Sequence, residues 1–92
     1  MTKVVKIFYL YADKCKSCEM ALSSIESAIN KCKEIPCQII KFPYTSDVAV
    51  NIAIKHDIDD LPAFIVGSKV FKGKKYTEEK IIDAIKTESK KV

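Results

Sequence analysis

The chain has no tryptophan, one histidine, two glycines and three prolines in 92 residues. No apolar run approaches the roughly 20 residues of a membrane-spanning helix, which excludes an integral membrane protein of the helical kind. Nothing resembles a linker, a low-complexity segment or an internal repeat, so residues 1–92 are read as one domain. Met1-Thr2-Lys3-Val4 leads directly into a strand-like run, without the charged, apolar and small-residue order of a signal peptide. A cytoplasmic location is therefore expected. The net charge is +4, but the lysines are scattered and not interleaved with aromatics, and no nucleic-acid motif is present. The charge reads as a solvated surface, with Lys90-Lys91 as a solvated end; neither nucleic acid nor membrane is expected as a partner.

What is present is the balance of a soluble globular protein with a modest core: 48% hydrophobic and 30% charged residues. There are four cysteines, at 15, 18, 32 and 37. In a lysine-rich chain without an export signal, they point to catalytic or metal-binding thiols before structural bridges.

Val4 to Tyr11 is β-branched, aromatic and almost continuously apolar, which predicts a strand covered on both faces. Ala12-Asp13-Lys14 is its exit loop. From Lys16 to about Lys33, Cys18, Ala21, Leu22, Ile25, Ala28, Ile29 and Cys32 recur at spacings of three and four, the stripe of a helix. Glu19 near its start and Lys31 and Lys33 near its end suit the helix dipole, and Pro36 bars continuation. Cys37 to Phe42 is a second strand, ended by Pro43. Ser46 or Asp47 caps a second helix running to about His56, with Val48, Ala49, Ile52 and Ala53 inward. After a loop, Pro62 opens a third strand, Ala63 to Val66. Gly67-Ser68 is a two-residue hairpin turn, and Lys69 to Lys72 is a fourth strand. Thr77 caps a last helix with Ile81, Ile82 and Ile85 inward. The order β-α-β-α-β-β-α predicts an α/β fold, a four-stranded mixed sheet flanked by three helices.

Cys15-Lys16-Ser17-Cys18 lies where the first strand turns into the first helix. A thiol there meets unsatisfied N–H groups and the positive end of the helix dipole, both of which favour an anion. The thiolate is the reactive form of cysteine, so dithiol–disulfide exchange is the leading expectation. The rival is a metal-handling module that uses the same pair for soft Cu(I) or a shared iron–sulfur cluster.

The element order, the Cys15–Cys18 pair after the first strand and the proline opening the third strand together resemble the thioredoxin-fold oxidoreductases. The stretch Ile52 to Phe64, with Asp60-Leu61-Pro62, strengthens the likeness, which covers roughly residues 4 to 86. The short chain is similar to glutaredoxins and small thioredoxins that lack an extra N-terminal β-α unit. The resemblance implies a cis Leu61–Pro62 bond beside the cysteine pair, whereas X–Pro bonds in general prefer trans. There are departures. Thioredoxins carry Trp before the first cysteine, Gly-Pro within the pair and a buried Asp six positions before it; here these are Lys14, Lys16-Ser17 and Tyr9. The Cys-Pro-Tyr-Cys, Thr-Val-Pro and Gly-Gly signatures of glutathione-binding glutaredoxins are absent. A thioredoxin-reductase-type reductant is thus implied rather than glutathione. The copper-chaperone likeness is poorer: Asp13 stands where those domains usually have Met, and a helix and Pro62 follow the second strand instead of a hairpin.

Cys15, at the mouth of the helix, is expected to attack, and Cys18, one turn inward, to resolve the mixed disulfide. Lys14 and Lys16 are expected to favour the Cys15 thiolate, opposed by Asp13. Leu61 and Pro62 are expected to bind an extended substrate main chain. No cofactor is expected beyond the Cys15–Cys18 disulfide; disulfide-bearing proteins are the expected substrates, and a monomer the expected state. Cys32 is about four helical turns from Cys18, roughly 21 Å at 1.5 Å per residue, and cannot share the site. Cys32 and Cys37 read as small core residues, with a bridge between them left open. His56, Tyr9 and Tyr11 read as packing residues, and Asp59 and Asp60 as solvated loop positions able to influence partner choice.

Overall fold

The apolar run near the N-terminus becomes an inner strand of the sheet. The computed structural model describes residues 4–73 and 76–90; residues 1–3 and Lys91, used above, lie outside them. The elements are β1 (Val5–Tyr11), α1 (Lys16–Lys31), β2 (Cys37–Pro43), α2 (Asp47–Lys55), β3 (Ala63–Val66), β4 (Lys69–Lys72) and α3 (Glu78–Ser89). This is the expected α/β order. The strands lie in the order β2-β1-β3-β4, with β1 parallel to β2 and the β1–β3 and β3–β4 pairs antiparallel. Gly67, at φ 62°, makes the turn of the β3–β4 hairpin, a backbone region that glycine enters without a Cβ clash.

Period-two alternation along β1 divides the core in two. Val5, Ile7 and Tyr9 face α1 and α3, where they meet Ala21, Ile25 and Ala28 of α1, Phe64 of β3 and Ile81 and Ile85 of α3. Leu10 faces the other way, with Ala63 and with Ala49 of α2. The second face is the thinner. α2 has nine residues and covers the Leu10–Ala63 end; Lys6 is exposed and Phe8 only half-buried. Full coverage of β1 on both faces, expected from its composition, is therefore not realised.

One helix boundary and one helix face differ from the sequence reading. α1 stops at Lys31 because the Cys32 N–H bonds back to the Ile29 carbonyl, tightening the last turn before Pro36. In α2 Ala49 is buried and Ile52 packs beside it; Ala53 is only half-buried, and Val48, about 100° around the helix from Ala49, is half-exposed. In α3, Ile81 and Ile85 are fully buried and Ile82 is partly so.

The two helices on the thicker face are joined at their ends. Lys31 in the last turn of α1 pairs with the Glu78 carboxylate in the first turn of α3, each charge at the helix end its dipole favours. The hydrogen bond from Lys31, then one from Ser27, holds the Glu78 carboxyl below its ordinary value of 4.5. A depressed carboxyl stabilises the fold above its unfolded pKa and loses that contribution as pH falls through its folded pKa. Lys31→Ala should therefore lower the melting temperature at pH 7 and leave it unchanged at pH 2. Thermal melts at the two pH values check this, and an equal drop at both would assign the loss to something other than the ion pair.

Candidate active site

β1 delivers the chain into a short loop in which Lys14 adopts φ 56°, and the chain then enters α1. Cys15 is the N-cap of that helix. Its sulfur accepts the Cys18 N–H at 3.1 Å, and its carbonyl accepts the Glu19 N–H at 3.1 Å. A side-chain acceptor at the N-cap takes up a donor the helix itself leaves unpaired, and a thiolate fills that role better than a thiol. Cys18 lies one turn in and is 1% exposed, whereas Cys15 is partly exposed. The two are joined as a disulfide, their Cα atoms 5.2 Å apart. The pair thus has an outer and an inner sulfur.

Tyr9 closes the site from below. It is 3% exposed, its ring stacks on Tyr11 with centroids 5.5 Å apart, and its hydroxyl donates to the Cys18 carbonyl. Burial, then the nearby charge of Glu19, pushes its phenol up to about 12, so it is a neutral donor at any working pH. A cleft of about 280 Å³ opens beside the pair, lined by Tyr9, Tyr11, Lys14, Cys15, Cys18 and Lys41 among others. Lys41 arrives from β2, where it pairs with Tyr9 across the sheet. The sequence reading placed Tyr9 among packing residues and did not single out Lys41. Tyr9 does pack, but its hydroxyl also reaches the cysteine turn. The position six residues before Cys15 was the available signal for Tyr9; Lys41 had none, because only strand register brings it there. Of the two flanking lysines, Lys14 lines the cleft and Lys16 is an exposed residue at the start of α1.

The Leu61–Pro62 bond is cis, as the family resemblance implied and the general preference of X–Pro bonds did not. Leu10 pairs with Ala63 in the antiparallel register, which sets Pro62 and the cysteine loop at the same end of the sheet. Pro62 is buried, its carbonyl accepting the Gly73 N–H at 2.7 Å, and Leu61 packs against both halves of the core. Asp59 and Asp60 lie in the loop before it, lining an apolar depression beneath α2 rather than the cysteine cleft.

The other two cysteines stand apart from the site. Cys32 is fully buried at the end of α1, Cys37 partly buried at the start of β2, and both are free thiols; the bridge left open by the sequence is not formed. Burial raises both thiols above their ordinary value. His56 caps α2 through its backbone N–H and is half-buried, in keeping with packing. Among the described residues, no group of three or more His, Cys, Asp or Glu stands close enough to hold a metal ion, and no helix is long and apolar enough to cross a membrane.

No protein-family model matches the sequence, and no curated protein matches it either. Solved structures do match. A thioredoxin-like protein from Clostridium perfringens superposes with a TM-score of 0.72 at 12% identity, over 95% of this chain and 72% of that one. The chain has a thioredoxin-like fold. Thioredoxin 1 from Thermosipho africanus matches at TM-score 0.59 and 21% identity, over 89% of this chain and 91% of its own. The oxidised thioredoxin of Plasmodium falciparum matches at 0.58 and 16%, over 92% and 81%. At such identities the likeness is one of fold. Within this thioredoxin-like fold, the Cys15–Cys18 pair lies at disulfide distance on the turn from β1 into α1.

Proposed function

We propose that the protein is a small dithiol–disulfide oxidoreductase that cycles the Cys15–Cys18 pair between dithiol and disulfide. The observation that carries this reading is the asymmetry of the pair: the Cys15 sulfur caps α1 and is partly exposed, while Cys18 is buried behind it. A capping N–H and the helix dipole favour the Cys15 thiolate, with Lys14 and Lys16 adding positive potential against Asp13. The thiolate attacks a sulfur of the substrate disulfide, forming a mixed disulfide and releasing the first substrate thiol with a proton from solvent. Cys18 then loses its proton, attacks the Cys15 sulfur and releases the second substrate thiol. Two electrons pass to the substrate, and the protein is left as the disulfide.

Substrates on this reading are disulfide-bearing proteins whose extended main chain pairs beside Leu61 and Pro62. A thioredoxin-reductase-type partner returns the electrons, no bound cofactor takes part, and a reducing cytoplasm is the fitting location. The protein acts as a monomer.

Cys18→Ser should trap the mixed disulfide on Cys15, because the resolving thiol is gone while the attacking one remains. Affinity-purified Cys18→Ser protein from cells should carry reductant-sensitive adducts that wild type and Cys15→Ser lack. If neither variant carries adducts, and the wild type purifies with stoichiometric metal, the pair is a metal site and the redox reading fails.

A further inference from the structure

We propose that Tyr9 is a positioning residue for the cysteine pair: its buried hydroxyl holds the Cys18 carbonyl so that the inner sulfur stays facing the outer one when the disulfide is open. Within a helix, the Cys18 carbonyl already has the N–H four residues on as its donor. The phenol is an additional donor, and it comes from another element: β1, an inner strand paired on both sides. In the disulfide form Cys18 is fixed at three points, its N–H on the Cys15 sulfur, its carbonyl on Tyr9 and its own sulfur on Cys15. Reduction removes the third. The Tyr9 bond ties the first turn of α1 to the sheet in both redox states.

The ring itself is fixed independently of this bond. It is 3% exposed, stacks on Tyr11 and lies in the same core cluster as Ala21, Ile25 and Phe64. The hydroxyl is therefore aimed by packing, and phenylalanine at this position keeps the packing while removing only the bond. A tethered thiol has an effective concentration set by how narrowly its position is confined. Loosening Cys18 lowers that concentration, so the internal disulfide forms less readily from the dithiol and resolution slows.

The test uses oxidised glutathione as a probe. One glutathione disulfide takes two electrons and two protons from the Cys15 and Cys18 thiols, giving two glutathione thiols and the protein disulfide. In Tyr9→Phe the equilibrium should shift toward the dithiol by about fivefold, because a less confined Cys18 presents its sulfur at a lower effective concentration. Resolution of the Cys15–glutathione mixed disulfide should slow by a similar factor. Alkylation of Cys15 by iodoacetamide in a Cys18→Ser background should stay within about twofold of its rate with Tyr9 present, since the variant removes neither the N–H of residue 18 nor the helix dipole.

An unchanged equilibrium overturns the proposal. So does equal slowing of alkylation and resolution, which would mean that Tyr9 merely supports the fold. Should Tyr9→Phe fail to fold, the infrared band of a carbonyl-13C-labelled Cys18 in reduced wild type decides instead. A doubly hydrogen-bonded, low-frequency band supports the hold, and a singly bonded one overturns it. The proposal rests on the oxidoreductase reading only for its use in turnover. Absence of any trapped substrate would remove that reading and leave the glutathione equilibrium to judge Tyr9.

Discussion

Cys15→Ser is expected to abolish reduction of protein disulfides, by on the order of 10³-fold or more, because a serine hydroxyl at an N-cap stays protonated at neutral pH and is a poor nucleophile toward sulfur. The helix should survive intact, since serine is itself a favoured N-cap and accepts the same Cys18 N–H. The loss should therefore appear in turnover and not in the melting temperature beyond the contribution of the disulfide itself. The comparison is made between reduced wild type and reduced variant, by insulin-disulfide reduction with dithiothreitol as electron donor and by thermal melts under the same reductant. A variant that keeps a tenth of the activity would show that the outer sulfur is not the nucleophile. A mixed disulfide trapped on Cys15→Ser and not on Cys18→Ser would reverse the order of attack and resolution.

The second large effect is on stability. Phe64 lies at the centre of β3, fully buried, stacked on Phe71 at 4.8 Å and edge-on to Tyr76 at 5.3 Å. It joins the hairpin to the segment that leads into α3. Phe64→Ala removes that buried surface and leaves a cavity, at a cost of about 3–5 kcal/mol. A domain of this size has about 5–15 kcal/mol to lose, and each kcal/mol moves the midpoint by about 4–8 °C. A drop of about 12 °C or more is expected in a thermal melt, with a matching fall in the urea midpoint. A drop under about 5 °C would mean that the hairpin and α3 close over the gap and that the aromatic cluster is not the keystone of this face.

The fold was readable in the sequence because its punctuation is strong. Pro62, Gly67 and Gly73 bracket β3 and β4, and both strands begin and end where those residues place them. The stripe from Cys18 to Cys32 is long enough that one helix is the simple solution. Legibility fails where a residue's surroundings depend on partners distant in sequence. The composition of β1 shows that it can be buried on both faces, but not that the covering helix is only nine residues long. Val48 is as apolar as its neighbours, and only the tilt of α2 on the sheet decides that Ala49 goes in instead.

The site divides in the same way. The outer and inner positions of Cys15 and Cys18 follow from local helix geometry and can be read from four consecutive residues. The reach of the Tyr9 hydroxyl to the Cys18 carbonyl depends on how α1 lies across β1, and the approach of Lys41 depends on which residues of β1 and β2 pair. Neither is encoded in a spacing. The cis form of the Leu61–Pro62 bond lies between the two: the dipeptide alone favours trans, and only the company of the cysteine pair implied otherwise.

The outer strands of the sheet bear on what the scattered lysines do. Among the described residues, β2 and β4 each have one side of their backbone without a strand neighbour, and such rims invite pairing with another copy of the same chain. β2 carries Lys41 and ends at Pro43; β4 begins and ends with lysine. An incoming strand would have to lie along cationic side chains on either rim, and on one of them would meet a proline. Like charges on both rims thus oppose the pairing of either strand with the same strand of a second copy.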